Sequence, residues 1–205
     1  TVKHETISVR GESGDENDKV VNYTSNLNYE NYLDFDKRIF NHIYLRQTKS
    51  EYDNSNTNQT GYEGDNKMGS LQFGLENQIG TGKDNYIFYY NIYDREYDER
   101  GTFDTYESKV LGLRYDFSRS IYQNISYGVG SEYKYDWGSF ENRGSYTAST
   151  KGHMSNLGVF GNIGYKLNES SFFSIYGRSD DHNTTGGNQT YKINLTKFID
   201  KFEPT

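Results

Sequence analysis

Hydrophobic and polar residues alternate one by one along much of the chain. In residues 125–136 the odd positions are mainly apolar or aromatic, and the even positions are small or charged. Because successive side chains of a strand point to opposite faces of a sheet, this period predicts strands with one apolar face. Ordinary globular strands have about 5 or 6 residues, whereas a tilted strand needs about 9 to 11 to cross a bilayer. The length of this run therefore favours a membrane-spanning strand.

The same alternation returns along the whole chain and predicts ten strands. It is clear at 111–117, 157–165 and 191–195, and weaker at 21–29 and 71–75. The predicted limits are 2–10, 19–32, 38–52, 67–79, 84–97, 104–117, 121–136, 153–166, 170–180 and 189–199.

The predicted connections alternate between short and long. The short ones fall near 34–37, 81–83, 118–120 and 168–170, and the longer ones at 11–18, 53–66, 98–103, 137–152 and 181–188. Outer-membrane barrels have short periplasmic turns and longer extracellular loops. This asymmetry predicts that the odd-numbered strands run outward. The polar segment 53–66 reads as a loop within one domain.

The fraction of hydrophobic residues by itself is misleading, whereas the kinds of residue present indicate the fold class. With 32% hydrophobic residues the chain looks soluble. However, the sequence of a barrel is polar on average, because only every second residue of a strand faces lipid. A composition of 21 Tyr, 12 Phe and 21 Gly with 1 Pro also favours strands. We therefore expect an all-β fold, an antiparallel transmembrane β-barrel. A soluble β-sandwich or solenoid with tyrosine on its surface is the alternative.

Several classes of protein and site are excluded by composition. No stretch approaches the roughly 20 apolar residues of a spanning helix, which excludes a helical membrane protein. The absence of Cys excludes disulfides and thiolate metal sites. A net charge of −7 without a basic cluster argues against a nucleic-acid partner.

Two segments resemble one family. Residues 178–183 and 186–191 resemble the Arg-x-Asp-Asp-x-x-x-x-Gly strand-loop-strand of TonB-dependent outer-membrane receptors, and 198–204 looks like the periplasmic turn that follows it. Residues 44–54 are similar to a strand-to-loop passage in the cobalamin-transporting members of that family.

The resemblance implies a function and a domain organisation. Residues 1–205 are then a partial barrel domain in the bacterial outer membrane, about ten strands of a roughly 22-stranded barrel of the plugged size class. We expect the plug and the carboxy-terminal strands to lie outside this sequence. The implied activity is uptake of a corrinoid such as cobalamin, or of a similar metal chelate, driven by the TonB system through the plug. Such transport involves no covalent chemistry, so we do not expect an enzyme.

Three carboxylates are candidate calcium ligands by the same resemblance. Glu16, Asp18 and Asp53 correspond in spacing to an acidic pair on one loop and an Asp on the next that bind calcium in the cobalamin transporters. Carboxylate oxygens are the ligands that Ca²⁺ prefers. In this acidic chain the three residues are equally explained as solvated loop charges.

Two aromatic residues, Trp137 and Tyr146, are candidate ligand contacts because they begin or lie within the predicted 137–152 loop. Trp137 is equally well explained by an aromatic girdle at the membrane interface.

The Asp180-Asp181-His182 run suggests the acid-base cluster of omptin proteases, which are ten-stranded barrels. Adjacent strand residues point to opposite faces, so the three side chains cannot readily share one site. A small self-closed barrel that acts as an omptin-like protease or an adhesin is the alternative function.

Overall fold

Ten antiparallel strands, each paired with the next in sequence, form one sheet in a computed structural model that describes residues 4–8, 18–54, 59–144 and 147–198. The strands are β1 (His4–Ser8), β2 (Asp18–Asp34), β3 (Lys37–Asn54), β4 (Gln59–Ile79), β5 (Gly82–Glu99), β6 (Phe103–Tyr122), β7 (Ile125–Arg143), β8 (Ala148–Asn168), β9 (Ser171–His182) and β10 (Gly186–Lys197). Within these ranges β1 pairs only with β2 and β10 only with β9, so the sheet is not closed.

The predicted number and order of strands are confirmed, but several predicted connections were wrong. The short turn expected at 118–120 lies inside β6, and the chain turns at 123–124 instead. Most of the predicted loops 53–66 and 137–152, and half of 98–103, belong to strands that continue outward. The physical reason is that these extensions are rich in polar residues and carry only scattered aromatic ones, so the alternation is lost while the hydrogen-bonded pairing continues.

The two faces of the sheet differ in character. On one face, register brings Leu71, Tyr90, Leu111 and Tyr135 side by side across β4 to β7. On the other face the neighbouring positions carry mainly charged, amide and small residues, together with some aromatic rings. We call these the apolar face and the polar face.

Apolar side chains are more exposed, and some polar side chains more buried, than in a water-soluble domain. Apolar-face side chains such as Leu113 and Ile193 are 53% and 69% exposed. In the part of the chain described here, Val21 is the buried hydrophobic residue, while Asp84 and Asn156 are buried polar ones, and no large side chain is fully buried. Removing apolar surface from water stabilises folded proteins by about 25 cal/mol per Å². An apolar face left this exposed therefore requires a nonaqueous neighbour.

The apolar band on β5 is bounded by charged residues at both ends. It runs from Tyr86 to Ile92 and is flanked on the same face by Asp84 and Asp94. At about 3.3 Å per residue this stretch is about 23 Å long along the strand, and because barrel strands tilt by about 35–45°, its height is less than the roughly 25 Å apolar band of outer-membrane barrels. β5 as a whole has 18 residues, so it extends well beyond the band.

No helix long and apolar enough to cross a membrane is present in the described ranges.

Aromatic rings on the polar face lie directly over glycines of the neighbouring strand. Tyr89 of β5 covers Gly112 of β6, its register partner, and Phe40 of β3 covers Gly74 of β4 in the same way. A Cβ at either glycine would overlap the ring. These glycines are therefore required by close approach, and Gly112 lets the Tyr89 side chain extend across β6 toward β7.

Candidate functional site

The centre of the polar face carries a connected set of side chains from β5, β7, β8 and β9, which we call the polar-face cluster. Its members are Tyr89, Glu132, Asn156, Arg178, Asp180 and His182. The Arg178 guanidinium connects it, because Nη2 lies 3.0 Å from Glu132 Oε2 and 2.7 Å from Asp180 Oδ1. Its Nε donates a further hydrogen bond of 2.7 Å to Asp180 Oδ2. Arg178 thus ties β9 to β7 across β8.

Glu132 receives a second donor from the opposite direction. The Tyr89 hydroxyl donates to Glu132 Oε1 at 3.0 Å, which is possible because the ring lies over Gly112. Arg178 also stacks near Phe160, with its Cζ 5.5 Å from the ring centroid. The cluster therefore joins strands β5 to β9 in one network of charge-assisted hydrogen bonds, which are the stronger kind.

Asn156 is the buried amide of the cluster, with 6% of its surface exposed. Its Nδ2 donates to Asp180 Oδ1 at 2.8 Å. Its Oδ1 is buried and has no hydrogen-bond partner among the described residues. His182 is the register partner of Asn156 on β9, and within the same part of the chain its Nδ1 is likewise buried without a partner.

Charge on this part of the polar face is nearly balanced. Four carboxylates, Glu132, Asp180, Asp116 and Asp136, face three cations in ion pairs, Arg114, Lys134 and Arg178. In the described ranges, no group of three or more His, Cys, Asp or Glu side chains is placed to hold a metal ion. The arrangement is suited to contacting polar solutes through hydrogen bonds.

The structure divides the Asp180-Asp181-His182 run between the two faces, as the sequence predicted. Asp180 and His182 belong to the polar-face cluster, whereas Asp181 is the register partner of Leu157 on the apolar face. The Asp180 carboxylate is occupied by Arg178.

Trp137 lies on the apolar face of β7, at the outer end of the band. Its register partners on that face are Lys109 and His153, and Ser139 and Glu141 follow on the same face. Lys109 Nζ lies 4.2 Å from the Trp137 ring centroid. This position is that of a girdle residue, so the role of Trp137 in ligand binding stays a prediction. Tyr146 lies outside the described residues.

The candidate calcium ligands are placed only in part. Glu16 lies outside the described residues. Asp18 begins β2 and Asp53 lies near the end of β3, so both belong to strands and not to the loops that the sequence predicted. Because Lys19 is the register partner of Glu51, the two aspartates lie at the same end of adjacent strands. Calcium binding by these residues stays a prediction.

Sequence reasoning singled out Arg178, Asp180 and His182 but missed the rest of the cluster. Glu132 was interpreted only as a polar position of the alternating run 125–136, and Asn156 was not singled out. The usable signal is register: Glu132 faces Gly158, and Gly158 faces Asp180, on the same side of the sheet.

Solved structures with a similar fold are outer-membrane transporters and receptors. The chain superimposes on the outer membrane transporter YddB from Escherichia coli with a TM-score of 0.73 at 11% identity, covering 87% of this chain and 29% of that one. It matches the siderophore receptor PirA from Acinetobacter baumannii with a TM-score of 0.71 at 13% identity, covering 90% and 32%. The RagAB peptide transporter matches with a TM-score of 0.60 at 9% identity, covering 86% and 30%.

These likenesses confirm the predicted fold class, the transmembrane β-barrel of the bacterial outer membrane. The chain spans about a third of the length of the structures that it matches. The sequence matches no protein-family model and no curated protein.

Proposed function

We propose that this chain is part of the barrel of a TonB-dependent outer-membrane receptor that takes up a metal chelate. The observation that carries the proposal is the distribution of side chains on the sheet, whose apolar face is exposed while Asn156 and the ion pairs of Arg178 lie on the other face. Such a sheet separates lipid from a polar interior. The fold of the solved transporters and the resemblance of residues 178–191 to these receptors both support this function.

The geometry supports binding and passage and involves no covalent step. Arg178 is hydrogen-bonded to both Glu132 and Asp180, so each of these charged groups already has a partner on the surface that a polar solute would contact. Because Tyr89, Glu132 and Arg178 connect β5, β7 and β9, the surface stays rigid while a ligand moves along it.

Within the class of metal chelates, two ligands are candidates. The resemblance of residues 44–54 to cobalamin transporters favours a corrinoid. Two of the similar structures are described as siderophore receptors, which favours an iron chelate. Both are large, polar metal complexes that need a wide, hydrated barrel, and we retain the corrinoid as the specific proposal.

Uptake by cells tests both levels of the proposal. The complete protein, including the plug that we expect outside this sequence, is expressed in a Gram-negative host that lacks its own corrinoid and siderophore receptors, with and without a functional TonB. We expect saturable, TonB-dependent uptake of labelled cobalamin. Uptake of a labelled iron chelate instead would overturn the corrinoid and leave the receptor family intact. Uptake that does not depend on TonB, or cleavage of an added peptide, would overturn the family.

Calcium is a further part of the proposal. We expect added Ca²⁺ to order the outer ends of β2 and β3 through Glu16, Asp18 and Asp53, because carboxylates are hard oxygen ligands. Limited proteolysis of the outer surface, with and without calcium, measures this effect. The Asp53→Asn variant should lose the protection, and equal cleavage of the unsubstituted protein in both conditions would contradict calcium binding.

A further inference from the structure

Two buried hydrogen-bonding atoms without partners belong to register partners on the polar face, in the part of the chain that the structure describes. Asn156 is 6% exposed, and its amide nitrogen is committed to Asp180 at 2.8 Å, which leaves Oδ1 without a partner in the described ranges. His182 lies directly opposite on β9, and in those ranges its Nδ1 is also buried and unpartnered. A buried polar group without a hydrogen bond is destabilising, so such atoms normally have a partner.

We propose that Asn156 and His182 form a subsite that binds a primary ammonium group, with Asn156 Oδ1 and His182 Nδ1 as acceptors. The inference rests on the proposed function, because it names a chemical group that the polar face recognises as a solute passes. The Asn156 carbonyl is an obligate acceptor, and the neutral imidazole accepts at Nδ1 when Nε2 carries the proton.

The surrounding charge favours a cation. Within the polar-face cluster one cation, Arg178, is paired with two carboxylates, Glu132 and Asp180, so these ion pairs carry one more negative than positive charge. Asp180 is the carboxylate that holds the Asn156 amide, and it lies two residues from His182. An ammonium group bound at Asn156 Oδ1 would therefore have the Asp180 carboxylate nearby and the His182 imidazole on the paired position of β9.

Nuclear magnetic resonance of histidine-labelled protein tests the subsite directly. The protein is purified in detergent at slightly alkaline pH, where imidazoles are mainly neutral, and methylammonium is added. We expect a saturable shift of the His182 Nδ1 resonance, assigned by its loss in the His182→Gln variant. Tetramethylammonium, which has the same charge but no N–H donor, should leave the resonance unchanged. His42 on the same face is an internal control, because its Nε2 already contacts Asn26 Oδ1 at 3.1 Å.

Substitution of Asn156 distinguishes specific binding at the subsite from nonspecific effects of methylammonium on the protein. Asn156→Leu removes the acceptor, and we expect methylammonium to bind roughly tenfold more weakly, as expected for one hydrogen bond to a charged group. Asn66→Leu removes a similarly buried, unpartnered amide oxygen on β4 and is the matched control, with unchanged affinity expected. If Asn156→Leu does not fold, calorimetry on His182→Gln replaces it, with the same loss of affinity expected.

Three results would overturn the proposal: no shift of His182, an equal shift with tetramethylammonium, or unchanged affinity after both substitutions. These results are independent of transport. Methylammonium binding without any TonB-dependent uptake would leave the subsite and remove the proposed receptor function. Uptake of a chelate with no response at His182 would do the reverse.

Discussion

An arginine placed on the apolar face should destabilise the protein far more than one placed on the polar face of the same strand. Leu113 lies on β6 between its register partners Phe88 and Tyr133, with two further band residues, Leu111 and Tyr115, on either side of it on the same face. It is therefore near the middle of the apolar band. Its 53% exposure is exposure to lipid if the fold spans the membrane.

An arginine that faces lipid and one that faces water should lower the free energy of unfolding by very different amounts. An arginine at the bilayer midplane of a barrel costs about 2–4 kcal/mol, whereas a substitution at a water-exposed surface usually changes stability by less than about 0.5 kcal/mol. A loss of about 3 kcal/mol lowers the folding equilibrium constant roughly 150-fold, since each 1.4 kcal/mol is a factor of ten. Val110→Arg is the control, because Val110 lies on the polar face with Asp136 as its register partner on β7. We expect it to cost less than about 1 kcal/mol.

Unfolding by urea in phospholipid vesicles measures both variants. The fluorescence of Trp137, the one tryptophan of the chain, reports folding, and the free energy of unfolding follows from the midpoint and the slope. A Leu113→Arg variant as stable as the unsubstituted protein would refute the membrane assignment of this face. Equal losses for Leu113→Arg and Val110→Arg would refute the distinction between the two faces.

Three other predictions concern single positions. Gly112→Ala should cost about 1–3 kcal/mol in the same urea assay, because its Cβ would overlap the Tyr89 ring. Trp137 fluorescence should be quenched most by lipids brominated near the headgroup, since girdle residues lie at the interface. The hydrogen bond from Arg143 holds the pKa of Glu141 below its ordinary value, so the pairing is present above the ordinary carboxyl range and is lost as pH falls through the lowered pKa. Arg143→Gln should raise the Glu141 pKa in a carboxyl-detected titration.

Each of these predictions has its own control. Gly152→Ala on β8 introduces a Cβ with nothing within 4 Å, so an equal loss there would contradict the overlap at Gly112. Stronger quenching by bromines at the ends of the acyl chains, or no quenching at all, would remove Trp137 from the girdle. High salt should reduce the effect on Glu141, because an exposed pair is screened. A Glu141 pKa that does not respond to Arg143→Gln would show that another group sets it.

The sequence alone determined the strands and their two faces. Alternation in 125–136 assigned Tyr133 and Tyr135 to one face and Glu132 and Lys134 to the other, and the register confirms this division. This prediction succeeds because side chains of a strand alternate between two faces, which is a local property of the backbone. With lipid on one face and water on the other, the alternation appears in the sequence as apolar and polar positions. The outer limits of β3 to β8 could not be predicted in this way, since those extensions are rich in polar residues and carry only scattered aromatic ones.

Only the tertiary structure decided which polar residues meet. Tyr89 and Glu132 are 43 residues apart, and Glu132 and Arg178 are 46 apart, yet all three share one network. Their contact depends on the register of five successive strands and on a glycine at 112 that admits the Tyr89 ring. The register between distant strands depends on the position of every turn that separates them in the sequence. The predicted turn at 118–120 was already misplaced. A one-residue slip moves every side chain of a strand to the other face, so a network spanning five strands requires the assembled sheet.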